Sequence, residues 1–228
     1  MTQHLLASGV SMRRIAKILK IHRTTVKRKM DFLAKKAKLK QHSFLFSLRK
    51  SPITHLQIDD LITIEHTKLK PLSVSVAVDV KTRKFLGFQV SRIPAFGHLA
   101  EKSIKKYGRR KSELKDGLTT LFENIYQSID QEVIIETDEH KLYPPVVKKY
   151  FPQAIHNQFK GAKGCVAGQG ELKKLYYDPL FVINHNFAML RANINRLVRR
   201  TWCTTKDPKM LEKHLFIYID YHNNFLLK

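Results

Sequence analysis

Cysteine is almost missing from this chain: Cys165 and Cys203 are the only two in 228 residues. Two thiols are too few for an all-thiolate zinc site and make no disulfide framework, so a reducing cytoplasm is the expected setting. Long apolar runs are missing as well. None approaches the roughly 20 residues that span a bilayer, and the N-terminus has no secretory apolar segment, so no membrane partner is expected. Acid is scarce, with 19 Asp and Glu against 42 Lys and Arg, a formal net charge of +23. A surplus of that size repels itself unless a polyanion neutralises it, which makes nucleic acid the expected partner. What is plentiful is core material, 43% hydrophobic residues with 13 Phe, and this excludes long disorder. The length suits one medium domain with a small appendage.

The charge is unevenly placed. Residues 1–53 hold fourteen Lys and Arg against one acid, Asp31, whereas thirteen acids lie between Asp59 and Glu139. A basic arm joined to a region that gathers carboxylates points to DNA grip in the first and metal chemistry in the second.

The stretch 5–38 reads as helices broken by short turns. Gly9 follows the first, Ser11 caps the second, and Ile15, Ile18 and Leu19 give the second an apolar face. After a tight turn at Lys20-Ile21-His22, a third helix begins near Arg23. It keeps Val26, Met30 and Leu33 on one stripe and turns Arg23, Thr24, Lys27 and Arg28 elsewhere. The run from Gly9 to Arg28 resembles the helix-turn-helix of resolvases, transposases and homeodomain-like proteins, whose second helix enters the major groove. The resemblance makes Arg23, Thr24, Thr25, Lys27 and Arg28 the expected contacts to double-stranded DNA. Residues 1–38 are thus expected to form a small all-α helix-turn-helix domain, 39–53 a basic linker without a sustained period, and 54–228 a second domain.

In that second domain the rhythm changes. Strands are expected over 55–59, 72–80 and 85–90, helices over 99–107 and 111–128, and a strand over 132–137. A short helix opened by Pro144-Pro145, a strand over 154–158 and two long helices over 179–200 and 208–225 follow. This is the order of a ribonuclease-H-like α/β domain, a mixed sheet flanked by helices, whose strand ends bring together acids far apart in sequence. Asp59 is expected to close the first strand, with Asp60 as the alternative, and Asp138 to close the strand before it. Carboxylates are the ligands that Mg²⁺ (or Mn²⁺) prefers, and such ions support in-line attack on a phosphodiester.

Three passages carry a wider resemblance: Gln-Ile-Asp-Asp-Leu at 57–61, Thr-Asp-Glu-His-Lys-Leu-Tyr at 137–143 and Ile-Asn-His-Asn-Phe-Ala-Met-Leu-Arg at 183–191, with Arg-Arg-Thr-Trp at 199–202 beyond. They resemble insertion-sequence transposases of the DDE class, and the likeness covers most of the chain. It implies a bacterial enzyme that binds the ends of its element and catalyses metal-dependent DNA cleavage and strand transfer. It also implies a cytoplasmic, nucleoid-associated homo-oligomer, since two ends must be held together. The implied metal ligands are Asp59, Asp138 and Asn184. The last stands where the family has a glutamate, and its amide oxygen is a neutral ligand. Glu212 on the final helix is its rival. Arg191, two turns beyond Asn184, matches a basic residue frequent in the family and is expected to hold a phosphate beside the scissile bond.

Other features have plainer readings. His140, His156 and His185 lack zinc-ligand spacing. The glycine-rich run 161–170 lacks the Gly-Lys-Ser/Thr ending of a phosphate-binding loop, so ATP is not implied and a loop beside the active site is expected. Trp202 is expected to pack between the last two helices. No serine or tyrosine nucleophile motif supports a resolvase. The competing function is a catalytically decayed transposase that only binds DNA, and Asn184 is the residue that separates the two.

Overall fold

The structure, a computed structural model, describes residues 1–160, 177–197 and 204–227. Three helices open the chain: α1 (Thr2–Leu6), α2 (Met12–Ile18) and α3 (Arg23–Leu48). Gly9 turns between the first two with φ +71°, a left-handed conformation open to glycine at little cost. Ser11 accepts the Arg14 N–H to cap α2, and His22 Nδ1 accepts the Thr24 N–H to cap α3. Their apolar sides meet in a small core of Leu6, Ile15, Val26, Met30 and Ala34.

Helix α3 does not stop where its sequence period fades. It runs unbroken for 26 residues, so 39–48, the first ten residues of the stretch read as a linker, are helical. Its buried stripe passes from Val26 and Met30 through Ala34 and Ala37 to Leu45, and small residues in the middle hide the period. Packing holds the second half in helix. Gln41 donates to the Phe85 and Leu86 carbonyls at 3.2 and 2.8 Å, and Ser128 Oγ donates to the Leu45 carbonyl at 2.8 Å.

The strands β1 (Ile53–Glu65), β2 (Thr67–Asp79) and β3 (Phe85–Arg92) then form an antiparallel meander. Helices α4 (Ala100–Tyr107) and α5 (Leu114–Ile125) lead to β4 (Ile129–Asp138), α6 (Tyr143–Tyr150) and β5 (Ile155–Phe159). Strand β4 lies parallel to β1, and β5 parallel to β4, giving the order β3-β2-β1-β4-β5. Helices α7 (Phe181–Asn193) and α8 (Pro208–Tyr221) follow. The result is the expected α/β class, a mixed five-stranded sheet flanked by helices, compatible with the ribonuclease-H-like arrangement.

Strand side chains alternate between faces, so each strand feeds two cores. On one face Leu61, Val74, Val76 and Val78 pack against Ile183 and Leu190 of α7 and Leu211 and Leu215 of α8. On the other, Leu56, Ile58, Ala77 and Ile135 pack under Leu118 and Phe122 of α5 and Val146 of α6. Helix α8 also carries the N-terminal helices. Ile217 completes their core. Asp220 accepts from Gln3 Nε2 at 2.7 Å and Lys40 Nζ at 3.1 Å, and Lys213 pairs with Asp31 at 2.7 Å. No helix among the described residues is long and apolar enough to cross a membrane. The glycine-rich run 161–170, the motif at 199–202 with Trp202, and both cysteines lie outside the described residues.

Candidate metal-binding site

Parallel pairing of β1 with β4 ends at Gln57↔Glu136, whereas β1 continues with β2 alone as far as Glu65. Asp59 is therefore not the end of its strand, as the sequence suggested. It lies two residues past the last parallel pair, in a strand that runs into the polar hairpin tip of Glu65, His66 and Lys68, which hides the alternation. Asp138 is the last residue of β4. Gln57, Asp59 and Leu61 share the face covered by α7, and Glu136 and Asp138 share it on the neighbouring strand. Where the strands part, Asp59 and Asp138 come together closely enough for one charge to act on the other.

The consequence is a strongly shifted carboxyl. The Asp59 pKa is raised from 3.8 to about 7 in all, with burial the largest cause. The Asp60 N–H, donated to Asp59 Oδ1 at 2.7 Å, works against burial. The charges of Asp138 and Asp60 add to the rise, and the Arg191 guanidinium opposes it. Asp138 Oδ1 accepts the His140 N–H at 2.9 Å, a turn that holds its carboxylate at the strand end.

Asp60, the alternative ligand, faces the other side of the sheet. Ser73 and Ser75 donate to its Oδ1 at 2.6 and 2.5 Å, and Tyr143 donates to Oδ2 at 2.8 Å. Three hydroxyls make it a tie between β1, β2 and α6, and burial with this acidic company pushes the Tyr143 hydroxyl well above its ordinary pKa.

A residue that sequence reasoning passed over anchors the site. Gln57, 2% exposed, donates to Glu136 Oε2 at 2.7 Å and to the Pro179 carbonyl at 2.8 Å, while its Oε1 accepts the Ile183 N–H at 2.9 Å. One amide thus fixes the start of α7 on the sheet beside the aspartates. The available signal was a glutamine between Leu56 and Ile58 in a strand, where burial demands hydrogen-bond partners.

Asn184 is exposed on α7, and its Nδ2 donates to Asp178 Oδ2 at 2.9 Å. Asp178 also accepts the Leu180 N–H at 3.0 Å at the head of that helix. The charges that act on Asp59 are those of Asp138 and Asp60, which repel its carboxylate, and of Arg191, which favours it. Among the described residues, Asn184 makes no hydrogen bond to either aspartate. Glu212 sits at the start of α8, its pKa raised by burial and by Asp207, with Lys209 and Lys38 opposing.

Among the described residues, no group of three or more His, Cys, Asp or Glu is arranged to hold a metal. The pair alone still suits a hard divalent ion, since Mg²⁺ keeps much of its water and takes one or two carboxylates together with substrate phosphate oxygens. With its pKa still at about 7, the half-buried Asp59 carboxyl is not fully compensated by Arg191, and a dication would add positive charge there.

The expected DNA contacts lie on another part of the molecule. Arg23, Thr24, Lys27 and Arg28 are exposed on the first turns of α3, and Thr25 is half-buried. The Thr24 hydroxyl lies 2.8 Å from His22 Nδ1, so it shares in capping the helix. Comparison of the chain with protein-family models and with curated proteins finds no match to either.

Proposed function

We propose that this protein is a DDE-class transposase of a bacterial insertion sequence. In this reading α2 and α3 form a helix-turn-helix that holds the element's ends, and a ribonuclease-H-like domain cuts and rejoins DNA at Asp59 and Asp138. The observation that carries the reading is the half-buried Asp59 carboxyl facing Asp138 where β1 and β4 part, with Arg191 beside it. Mg²⁺ or Mn²⁺, held by the two aspartates with the Asn184 amide oxygen as third ligand, would supply Lewis-acid charge and a nucleophilic oxygen at neutral pH. Asp59 and Asp138 are the anionic ligands, and Arg191 binds the phosphate next to the scissile bond. Gln57 positions α7, and the cations of α3 neutralise the DNA backbone. Holding two ends requires at least two protomers, at the nucleoid in the cytoplasm.

A second reading, a decayed transposase that binds DNA without cutting it, is favoured by one observation: the residue in the third ligand position is a neutral amide already bonded to Asp178. The test for both is incubation with duplexes carrying the DNA that flanks the coding sequence, a supercoiled acceptor plasmid, and Mg²⁺ or Mn²⁺. Cleaved and joined products are expected, abolished by Asp59→Ala or Asp138→Ala with DNA binding retained. Binding without products, with products gained by Asn184→Glu, would establish the second reading. Failure to bind DNA would remove both.

A further inference from the structure

One strongly charged surface has no place in that reading. Residues 100–111 carry six cations and one acid, Glu101. Lys102, Lys105, Lys106 and Arg109 are exposed, as is Lys68 on the neighbouring β1–β2 hairpin. Lys70 of the hairpin and Lys106 of α4 both lie against the Tyr107 ring, with Nζ 4.5 and 5.5 Å from its centroid. The ring itself is 40% exposed.

This platform is rigidly mounted. The buried Ser103 hydroxyl donates to the Leu69 carbonyl at 2.7 Å and pins α4 to β2. Arg110 pairs with Glu65 at 2.7 Å, so the acid on the hairpin tip is already neutralised. The His66 N–H, donated to the Thr205 carbonyl at 2.6 Å, ties the tip to the segment before α8. Strand β1 carries both Glu65 and Asp59. Six residues of strand at about 3.3 Å each put Glu65, which Arg110 holds, about 20 Å along β1 from Asp59, or about six base-pair steps of duplex at ~3.4 Å each.

Like charges held on a fixed surface repel one another, and a polyanion relieves that repulsion. We propose that α4 and the β1–β2 hairpin tip form a second duplex-DNA surface, separate from the first turns of α3, which grips the phosphate backbone about 20 Å from Asp59. The inference takes DNA as its partner from the proposed function, but its readout is binding and needs no cleavage.

The test is fluorescence anisotropy with a short labelled duplex of random sequence across a salt series. Each phosphate contact contributes about 0.9 to the slope of log affinity against log salt, so Lys105→Ala/Lys106→Ala/Arg109→Ala should lower the slope by about 2.7. Binding at ~50 mM salt should weaken more than about tenfold. The same loss is expected in a chain already carrying Arg23→Ala/Lys27→Ala/Arg28→Ala, which isolates the two surfaces. Lys105→Arg/Lys106→Arg should bind like the parent. Unchanged slope and affinity in the alanine variant, or loss in the charge-preserving variant, would overturn the proposal, as would tighter binding to anionic phospholipid vesicles than to duplex. If the slope falls while no metal-dependent products form, the surface stands and the enzymatic reading fails.

Discussion

Replacing Asp59 by asparagine should stabilise the protein at pH 8 and give no such gain at pH 4. The folded carboxyl titrates near 7 rather than 3.8, so between those values the native state keeps a proton that the unfolded chain has lost. Stability contributed by that proton is present at low pH and declines as pH rises through the window, then stays level. At about 1.4 kcal/mol per pKa unit, the shift sets a ceiling of about 4 kcal/mol. The side chain is half-buried, and water relieves part of the cost, so about 2 kcal/mol is expected, or roughly 4–8 °C in Tm for a chain of this size. His214 acts in the opposite sense. Buried against the Leu6 carbonyl at 2.8 Å, it titrates near 4 rather than 6.5. The stability of its neutral form is present above 6.5 and lost as pH falls toward 4, worth about 3 kcal/mol. The two windows overlap, so the parent should show a shallow profile between pH 4 and 7, and Asp59→Asn should show stability rising with pH. Thermal melts followed by circular dichroism from acid to pH 8 read both effects. Mg²⁺ should raise the parent's Tm at pH 8, where the carboxyl is ionised, and not the variant's. A variant that melts at or below the parent at pH 8, with the same pH profile, would refute the account of a strained carboxyl.

Asp60→Asn should cost about 1–3 kcal/mol in urea unfolding, because three hydroxyls donate to this carboxylate and an amide presents a donor to one of them. It should leave the proposed metal-dependent cleavage in place, whereas Asp59→Asn should remove it. Asn223→Ala should cost about 2–4 kcal/mol, since Asn223 accepts the Phe85 N–H at 3.0 Å and donates to the Phe85 carbonyl at 2.9 Å, both buried. The midpoint of urea unfolding should fall with its slope unchanged. Gly117→Ala puts a methyl 2.0 Å from Ser91 Oγ, where α5 crosses β3. A loss of about 1–3 kcal/mol is expected, partly recovered by Ser91→Ala in the same chain.

What the sequence made legible follows from periodicity and its masking. Val74, Val76 and Val78 alternate with the small residues Ser73, Ser75 and Ala77, and Val133, Ile134 and Ile135 form a short apolar run, so their strands could be placed. Ser11 and Pro144 mark helix starts because capping chemistry is local. The second half of α3 was not legible: its helical state rests on Gln41 and Leu45 meeting β3 and the sheet core, contacts that no local pattern contains. The hairpin beyond Asp60 was missed because Lys68 and Lys70 lie on strand positions that usually read as loop. For the site, adjacent aspartates necessarily fall on opposite faces of a strand, but which face meets Asp138 depends on the register Gln57↔Glu136. That register is a tertiary fact. Asn184 was placed on α7 by its apolar stripe, yet its bond to Asp178 depends on how the chain enters that helix.

The integration of the N-terminal helices bears directly on how the proposed chemistry could be aimed. Helix α3 spans about 39 Å at 1.5 Å per residue, with Arg23 at one end and Leu45 in the sheet core near the other. Asp220 of α8 holds Gln3 of α1 and Lys40 of α3 at once, and α8 packs on the same sheet face that carries Asp59. Four residues, 49–52, separate α3 from β1, too short a link to reorient a helix already packed along its length. In the proposed function, DNA held by the first turns of α3 would be held at a set distance from Asp59 of the same protomer, without a hinge along α3. A transposase built this way would select its cleavage position by geometry rather than by a search on a flexible tether. Two such protomers holding two ends would have their carboxylates placed by the pairing of the protomers.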